Sequence, residues 1–259
     1  MGYTREVWQG GVREVPRIYL TNIPQRWKES SDAMPVAKKK ELFFRLLIPA
    51  VLRANEAIAI ERKKLIRLKQ KYPNLTVKEK SALLACARKY KVSKQDAVEV
   101  SSENLAELLL RVETIPVSLA LAQGAEESGW GTSRFALLGN SLFGQWDFSG
   151  NGIVPERQRK ELGNYGLARF DYPQEAVNAY MLNLNTHNAY VRMRVVRARL
   201  REGGKKASGH ELAKTLDRYS ERGEAYVKGL HSLMRINKLA YTDEAYLWDK
   251  EVIYITPKE

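Results

Sequence analysis

Apolar residues recur at helical spacing along most of the chain. Between residues 36 and 70, Leu42, Leu46, Ile48, Val51, Leu52, Ala59, Leu65 and Leu68 fall near i, i+3, i+4 intervals with Lys and Arg between them, which predicts a helix. Pro49 inside that run predicts a kink or a division into two helices, and Tyr72, Pro73 and Asn74 end it. Thr76-Val-Lys-Glu79 reads as a capping box that opens the next helix, to about residue 90. A short helix is expected over residues 93–100. Another is expected over 104–112, with Leu105, Leu108, Leu109 and Val112 on one face. Pro116 suits a first helical turn, so a helix is expected over 117–128, ending at Gly129 or Gly131.

The periodicity then fails. Residues 140–172 intersperse glycines with Phe143, Trp146, Phe148, Tyr165 and Phe170, which predicts a loop or small hairpin lobe. Helices are expected again over 174–185 and 189–201. A second capping box, Ser208-Gly-His-Glu211, should open a helix to about residue 218. A last helix is expected over 224–236, and the apolar tail 252–256 suits a strand. Residues 1–34 read as irregular, with Val15-Pro-Arg-Ile-Tyr-Leu20 and Trp27 laid across the helical core.

Composition places this pattern in a globular protein. The chain has 259 residues, 44% hydrophobic and 28% charged, with 17 Gly, 9 Pro and a single Cys. Collagen-like, disordered and disulfide-scaffold classes are excluded. Cys86 cannot form an internal disulfide and reads as a packing thiol. The most apolar stretch, residues 42–60, contains Arg45, Arg53, Asn55 and Glu56, so no membrane span is expected. Residues 1–8 lack the apolar centre of a signal peptide, which suits either a protein that is not exported or one whose leader has been removed.

The net charge of +13 first suggests a polyanion partner. Its distribution changes that picture. Residues 1–115 carry 23 Lys and Arg against 13 Asp and Glu, and residues 116–259 carry 20 against 17. The excess lies away from the aromatic lobe, whereas a nucleic-acid groove would interleave the two, so nucleic acid is not the expected partner. The basic half reads as the solvated face of helices, one that can also hold the protein to an anionic polymer.

Candidate chemistry narrows quickly. Three histidines without a metal-spacing motif, no phosphate-binding loop and no GxSxG leave no metal or cofactor to expect. The informative segment is 117–128. Its only polar side chains up to Ala125 are Ser118 and Gln123, yet it ends in two carboxylates, Glu126 and Glu127. Their side chains point about 100° apart around a helix. Glu127 follows Ala120, Gln123 and Gly124 on one face, with Trp130 three residues on. A carboxyl desolvated against an indole has a raised pKa and can act as a general acid, the pairing seen in lysozyme. The same carboxylate can equally be satisfied by a neighbouring Arg or by backbone N–H groups.

Ala122-Gln-Gly-Ala-Glu-Glu-Ser-Gly-Trp-Gly-Thr-Ser133, followed by Asn140-Ser-Leu-Phe-Gly144, resembles the glucosaminidase domain of glycoside hydrolase family 73. The family pattern is AQ-x-A-x-ESGWG-x-S and then N-x-LFG. Val15–Leu20, the 42–65 helix and Tyr219-Ser-Glu-Arg-Gly-Glu-Ala-Tyr-Val227 resemble bacterial Bax-like proteins of that kind, so the likeness covers most of residues 12–238. The resemblance implies a mainly α fold: a lysozyme-like helical body, a small β/loop lobe and an N-terminal helical elaboration. It divides the chain into N-terminal helices (1–100), the glucosaminidase domain (101–240) and a tail (241–259). It also implies an endo-β-N-acetylglucosaminidase that cleaves β-1,4 bonds of peptidoglycan or a related N-acetylglucosamine-containing glycan, in the periplasm or otherwise exported.

Carried over position by position, the resemblance makes Glu127 the general acid and Glu126 a solvated neighbour. Gln123, Trp130, Asn140 and Phe143 match positions that shape or brace the cleft. Asn140 would hold the lobe's entry through side-chain to backbone hydrogen bonds. Tyr190, in Asn185-Thr-His-Asn-Ala-Tyr190, matches the segment that supplies a cleft tyrosine, and Trp146 and Tyr165 would stack on sugar rings. A second carboxylate would stand roughly 6.5–9.5 Å from the acid in an inverting enzyme and about 5–5.5 Å in a retaining one. The lobe offers Asp147, Glu156 and Glu161, of which Glu156 is the candidate. The substrate's own 2-acetamido group is the alternative. A lytic transglycosylase, which also works with one glutamate, and a non-catalytic peptidoglycan-binding protein are the rival readings.

Overall fold

The structure is a computed structural model that describes residues 13–92, 101–156 and 165–258. The expected segment 93–100 lies outside these. The first described elements are two short strands, β1 (Glu14–Val15) and β2 (Ile18–Leu20), and helix α1 (Trp27–Asp32). Its last strands, β5 (Tyr246–Leu247) and β6 (Ile253–Ile255), return to them. β1 pairs with β5 and β2 with β6, both parallel, with Tyr19 opposite Tyr254. The tail is therefore a strand as expected, whereas the N-terminal apolar piece Val15–Leu20 contributes to two strands and Trp27 opens a helix, where irregular chain was expected.

Helix α2 (Val36–Lys71) runs unbroken for 36 residues with Pro49 inside it, so the expected division does not occur. Proline removes one hydrogen bond to the preceding turn. Here Phe44, Leu47 and Ile48 before it and Val51, Leu52 and Ala54 after it are all buried, and that packing outweighs the loss. Helix α3 (Val77–Lys89) opens with the expected capping box, in which the Thr76 hydroxyl accepts from the Glu79 N–H and the Glu79 carboxylate accepts from the Thr76 N–H. Helix α4 (Ser102–Arg111) is capped by the Ser101 hydroxyl.

Helix α5 (Val117–Ser128) is the central element. Every residue from Val117 to Ala125 is buried, as an apolar helix with small residues allows. Pro116 takes the capping position rather than the first turn. Asp243 joins this end to the rest of the molecule: Oδ1 accepts from the Ser118 N–H, while Oδ2 accepts from the Ser118 hydroxyl and the Gly209 N–H. Helices α2, α9 (Gly209–Ala213) and α10 (Glu224–Ile236) pack around α5, with a 3-10 turn over Leu239–Glu244. The helix expected to run to 218 stops at Ala213. Beyond it the backbone closes i to i+3 hydrogen bonds, from the N–H groups of Thr215 and Leu216 to the carbonyls of Leu212 and Ala213, while Thr215 and Leu216 are buried.

After helix α6 (Arg134–Gly139), strands β3 (Trp146–Asp147) and β4 (Gly166–Leu167) form the antiparallel pair of the small lobe. A side chain at Gly166 would meet the backbone of Gly152 at 2.8 Å, so the lobe closes only because both are glycines. Helix α7 (Pro173–Thr186), a 3-10 turn (Asn188–Tyr190) and helix α8 (Val191–Glu202) follow. Arg197 of α8 is buried and donates to the carbonyls of Leu110, Arg111, Glu113 and Thr114, the run that links α4 to α5. Burial lowers its pKa to about 9. The apolar core is continuous from Val15 to Leu247. The mainly α architecture with a small β/loop lobe is the one the lysozyme-like resemblance implies. No helix among the described residues is long and apolar enough to cross a membrane.

Candidate active site

Helix α5 delivers Glu127 on its last turn and then stops sharply. Gly129 takes the left-handed conformation (φ 55°) that a C-terminal cap favours. Ser128 ties the turn: its buried hydroxyl donates to the Gly124 carbonyl (2.5 Å) and accepts from the Gly131 N–H (2.8 Å). Trp130 is also left-handed (φ 64°), a conformation costly for a bulky residue. It is held there by its N–H on the Ala125 carbonyl and by the Trp27 indole N–H on its own carbonyl.

The Trp130 ring goes to packing. It sits edge-on to Phe43 and Phe44 of α2, at 5.7 and 5.3 Å between centroids, beneath the Lys40 ammonium. The groups that set the titration of Glu127 are tyrosine, glutamate and arginine side chains. Its pKa is raised chiefly by burial; the Tyr226 hydroxyl opposes the shift, the Glu126 charge adds to it, and Arg222 opposes it again. Glu126 makes an ion pair with Arg222 at the surface, which fits the solvated neighbour expected of it.

Behind Glu127 lies a buried polar chain. The Tyr180 hydroxyl donates to Gln123 Oε1 (2.7 Å), and Gln123 Nε2 donates to the Tyr226 hydroxyl (2.9 Å). Because Tyr226 accepts from Gln123, its own proton is left for another acceptor, and the group it faces is Glu127. Tyr219 stacks on Tyr226 at 5.5 Å and neighbours Tyr190 at 5.7 Å, and its hydroxyl donates to the Phe143 carbonyl (3.1 Å). Burial pushes Tyr190 up to about 12, and the charge of Glu127 adds to the shift. In front of the carboxyl stands Gly144 (φ 63°), where a Cβ would come within 3.4 Å of Glu127 Oε2.

The expected site residues separate into two groups. Glu127, Tyr190 and Gln123 come together, but Gln123 is fully buried and therefore braces the site instead of touching a glycan. Phe143 is likewise buried, stacked on Tyr180 at 4.0 Å, and Trp130 packs on α2. Of these three, Gln123 and Phe143 are closed to solvent and Trp130 is half-buried. Asn140 is buried and left-handed; its Oδ1 accepts from the Ile23 N–H, and its amide donates to the carbonyls of Phe170 and Asp171. It joins the N-terminal segment to the base of the lobe. Trp146 is more than half exposed and lies edge-on to the buried Tyr165 at 5.0 Å, so Trp146 offers a ring to solvent while Tyr165 supports it.

Apart from the adjacent Glu126, no contact among the described residues brings a second carboxylate to Glu127. Glu156 is exposed, immediately before a stretch outside the described residues that also includes Glu161. Asp147 is engaged in its own turn, accepting from the Ser149 N–H and hydroxyl, which lowers its pKa. Cys86 is half-buried, and burial raises its thiol to about 11, which disfavours a nucleophilic thiolate. A 360 Å³ cavity lined by Pro116, Val117, Arg197 and Asp243 lies at the opposite end of α5, remote from the carboxyl.

Tyr180 was not singled out by sequence, and Tyr219 and Tyr226 only as parts of one segment of a likeness. One signal was available: Tyr219 and Tyr226 flank Gly223, where the last helix begins. Nothing local indicates that both turn towards the end of a helix a hundred residues earlier.

Comparison with known proteins identifies the family of the chain. Residues 103–249, more than half of the chain, match the glucosaminidase family, described as mannosyl-glycoprotein endo-beta-N-acetylglucosaminidase. The chain is 34% identical over 200 residues to Protein bax of Escherichia coli (strain K12), covering 77% of this chain and 70% of that protein. No solved structure matches.

Proposed function

We propose that this chain, which belongs to the glucosaminidase family and is Bax-like, is an endo-β-N-acetylglucosaminidase acting on peptidoglycan. Membership supports a glycosidase-related role; the reaction is our reading of the site. The observation that carries it is Glu127, a carboxyl with a raised pKa at the end of a buried helix, faced by Tyr226 and fronted by Gly144. A carboxyl that holds its proton more tightly than an ordinary one can give it to the leaving glycosidic oxygen. Tyr190 then orients the N-acetyl group or the attacking water, and Trp146 stacks on a sugar ring. Glu156 serves as base if the lobe brings it over the site; otherwise the 2-acetamido group assists. The N-terminal helices, the catalytic segment and the tail work as one unit because the core crosses the boundaries at 100 and 240. The protein works in the periplasm or is otherwise exported, where its substrate is.

The test is digestion of purified peptidoglycan by wild type and Glu127→Gln, with the new ends read by mass spectrometry. New reducing N-acetylglucosamine ends in wild type, and a loss of about 10²–10⁴-fold in the variant, are expected. Anhydro-muramic ends would make the protein a lytic transglycosylase. Binding without release by wild type would make it a non-catalytic wall-binding protein.

A further inference from the structure

The hairpin made by the C-terminal half of α2 and helix α3 has the strongest charge concentration in the chain. Residues 61–91 hold 11 Lys and Arg against two acids, Glu61 and Glu79, a balance of +9 out of the chain's +13. Both acids are already engaged by lysines of the same hairpin, Glu61 by Lys89 and Glu79 by Lys71. Lys63, Lys64, Arg67, Lys69, Lys78 and Lys80 are exposed, and no carboxylate among the described residues pairs with them. The interior of the hairpin is apolar and closed by Leu65, Leu75 and Leu83. Its outside is basic, with apolar side chains interspersed. Val77 at the tip is 85% exposed, and Ile60, Ile66 and Tyr72 are also open to solvent.

From this combination we infer that the hairpin is a docking surface for anionic lipid headgroups at a bilayer surface. Lysine and arginine clusters on helices attract an anionic leaflet, and exposed apolar residues among them enter the interface. An anionic polymer in solution would call on the cations alone and has no use for Val77 at the tip. The position suits an anchor. Along α2, Arg67 lies 23 residues beyond Phe44, the residue that packs on Trp130 beside the site. At 1.5 Å per residue, that places the basic tip about 35 Å from the candidate active site. A protein held by this tip would keep its site off the bilayer.

The inference does not depend on the proposed reaction, and its test needs no activity. Full-length protein is sedimented with phosphatidylcholine vesicles, with and without phosphatidylglycerol, at low and high salt. Wild type should bind only the anionic vesicles and release in high salt. The variant Lys64→Gln, Arg67→Gln, Lys78→Gln, Lys80→Gln should bind more than about 100-fold more weakly, since each cation near an anionic surface contributes roughly fivefold. Circular dichroism and Tm should match wild type. Val77→Ser, which removes no charge, should weaken binding severalfold and covers the case in which the quadruple variant misfolds. Three results would overturn the inference: no binding by wild type at low salt; full binding by a folded quadruple variant; or Val77→Ser binding as wild type while soluble polyphosphate displaces the protein completely, which marks a polyanion surface instead.

Discussion

Gln123 donates its amide N–H to the Tyr226 hydroxyl at 2.9 Å, and this one buried hydrogen bond determines which way the tyrosine proton points. Tyr180 donates to the amide oxygen, which sets the direction of the chain; turned over, Gln123 would keep both hydroxyls as partners but would take the Tyr226 proton away from Glu127. Tyr226 is thereby left to face Glu127 as a donor, a role that favours the ionised carboxyl. Burial pushes the other way and wins, so Glu127 is held above the ordinary carboxyl range.

Replacing Tyr226 with Phe removes the donor and leaves the burial. The Glu127 pKa should rise further, and the basic limb of the pH–rate profile should move to higher pH. The variant also strands the Gln123 amide, at about 1–3 kcal/mol of stability. Urea unfolding checks the second effect. A limb that moves to lower pH would show that Tyr226 does not stabilise the carboxylate.

The raised pKa of Glu127 also has a stability consequence of definite sign. A carboxyl that holds its proton more tightly folded than unfolded destabilises the fold once it ionises. The penalty is absent below the unfolded pKa of about 4.3 and complete above the folded value. Glu127→Gln, which carries no charge, should therefore melt at a higher temperature than wild type near neutral pH. The difference should vanish as the pH falls below about 4. Thermal melts across that range measure it; a variant less stable at neutral pH would contradict the sign.

Gly144→Ala should combine backbone strain with crowding at the carboxyl. At φ 63° a non-glycine residue costs roughly 1–2 kcal/mol, and the new Cβ would lie 3.4 Å from Glu127 Oε2. Gly204→Ala is the control, since it is also left-handed (φ 69°) but meets nothing within 4 Å. Both should lose similar stability. Only Gly144→Ala should lower kcat, as measured on isolated glycan strands.

Asn140→Ala should be among the more damaging single changes outside the catalytic turn. It leaves the buried Ile23 N–H without an acceptor and releases the carbonyls of Phe170 and Asp171. A loss of about 2–4 kcal/mol in urea unfolding is expected, with protease sensitivity appearing first in the lobe. Loss below about 0.5 kcal/mol would show that water replaces these bonds.

Local signals in the chain translated directly into structure. The last long helix occupies residues 224–236 as its pattern predicts, and both capping boxes are in place. Helix α5 ends at Gly129, and the lobe is where the helical period breaks down. Glu126 and Glu127 stood out because carboxylates at the end of an otherwise apolar helix are an anomaly on sequence grounds, and the family resemblance made Glu127 the candidate acid. The failures share one cause. Pro49 predicts a kink or a division when only its own turn is considered, yet helix α2 stays undivided because residues on both sides of it are buried.

What the sequence determined by itself was therefore most of the helices and their caps. These follow from spacings of three or four residues and from backbone preferences that operate within one turn. Tertiary structure decided what surrounds the acid. It sent Trp130 onto Phe43 and Phe44, brought Tyr180 and Tyr226 in behind Glu127, and closed the chain's two ends into parallel strand pairs. Desolvation, which raises Glu127, is set by everything packed around a group, and here that packing joins residues separated by about a hundred positions in the chain.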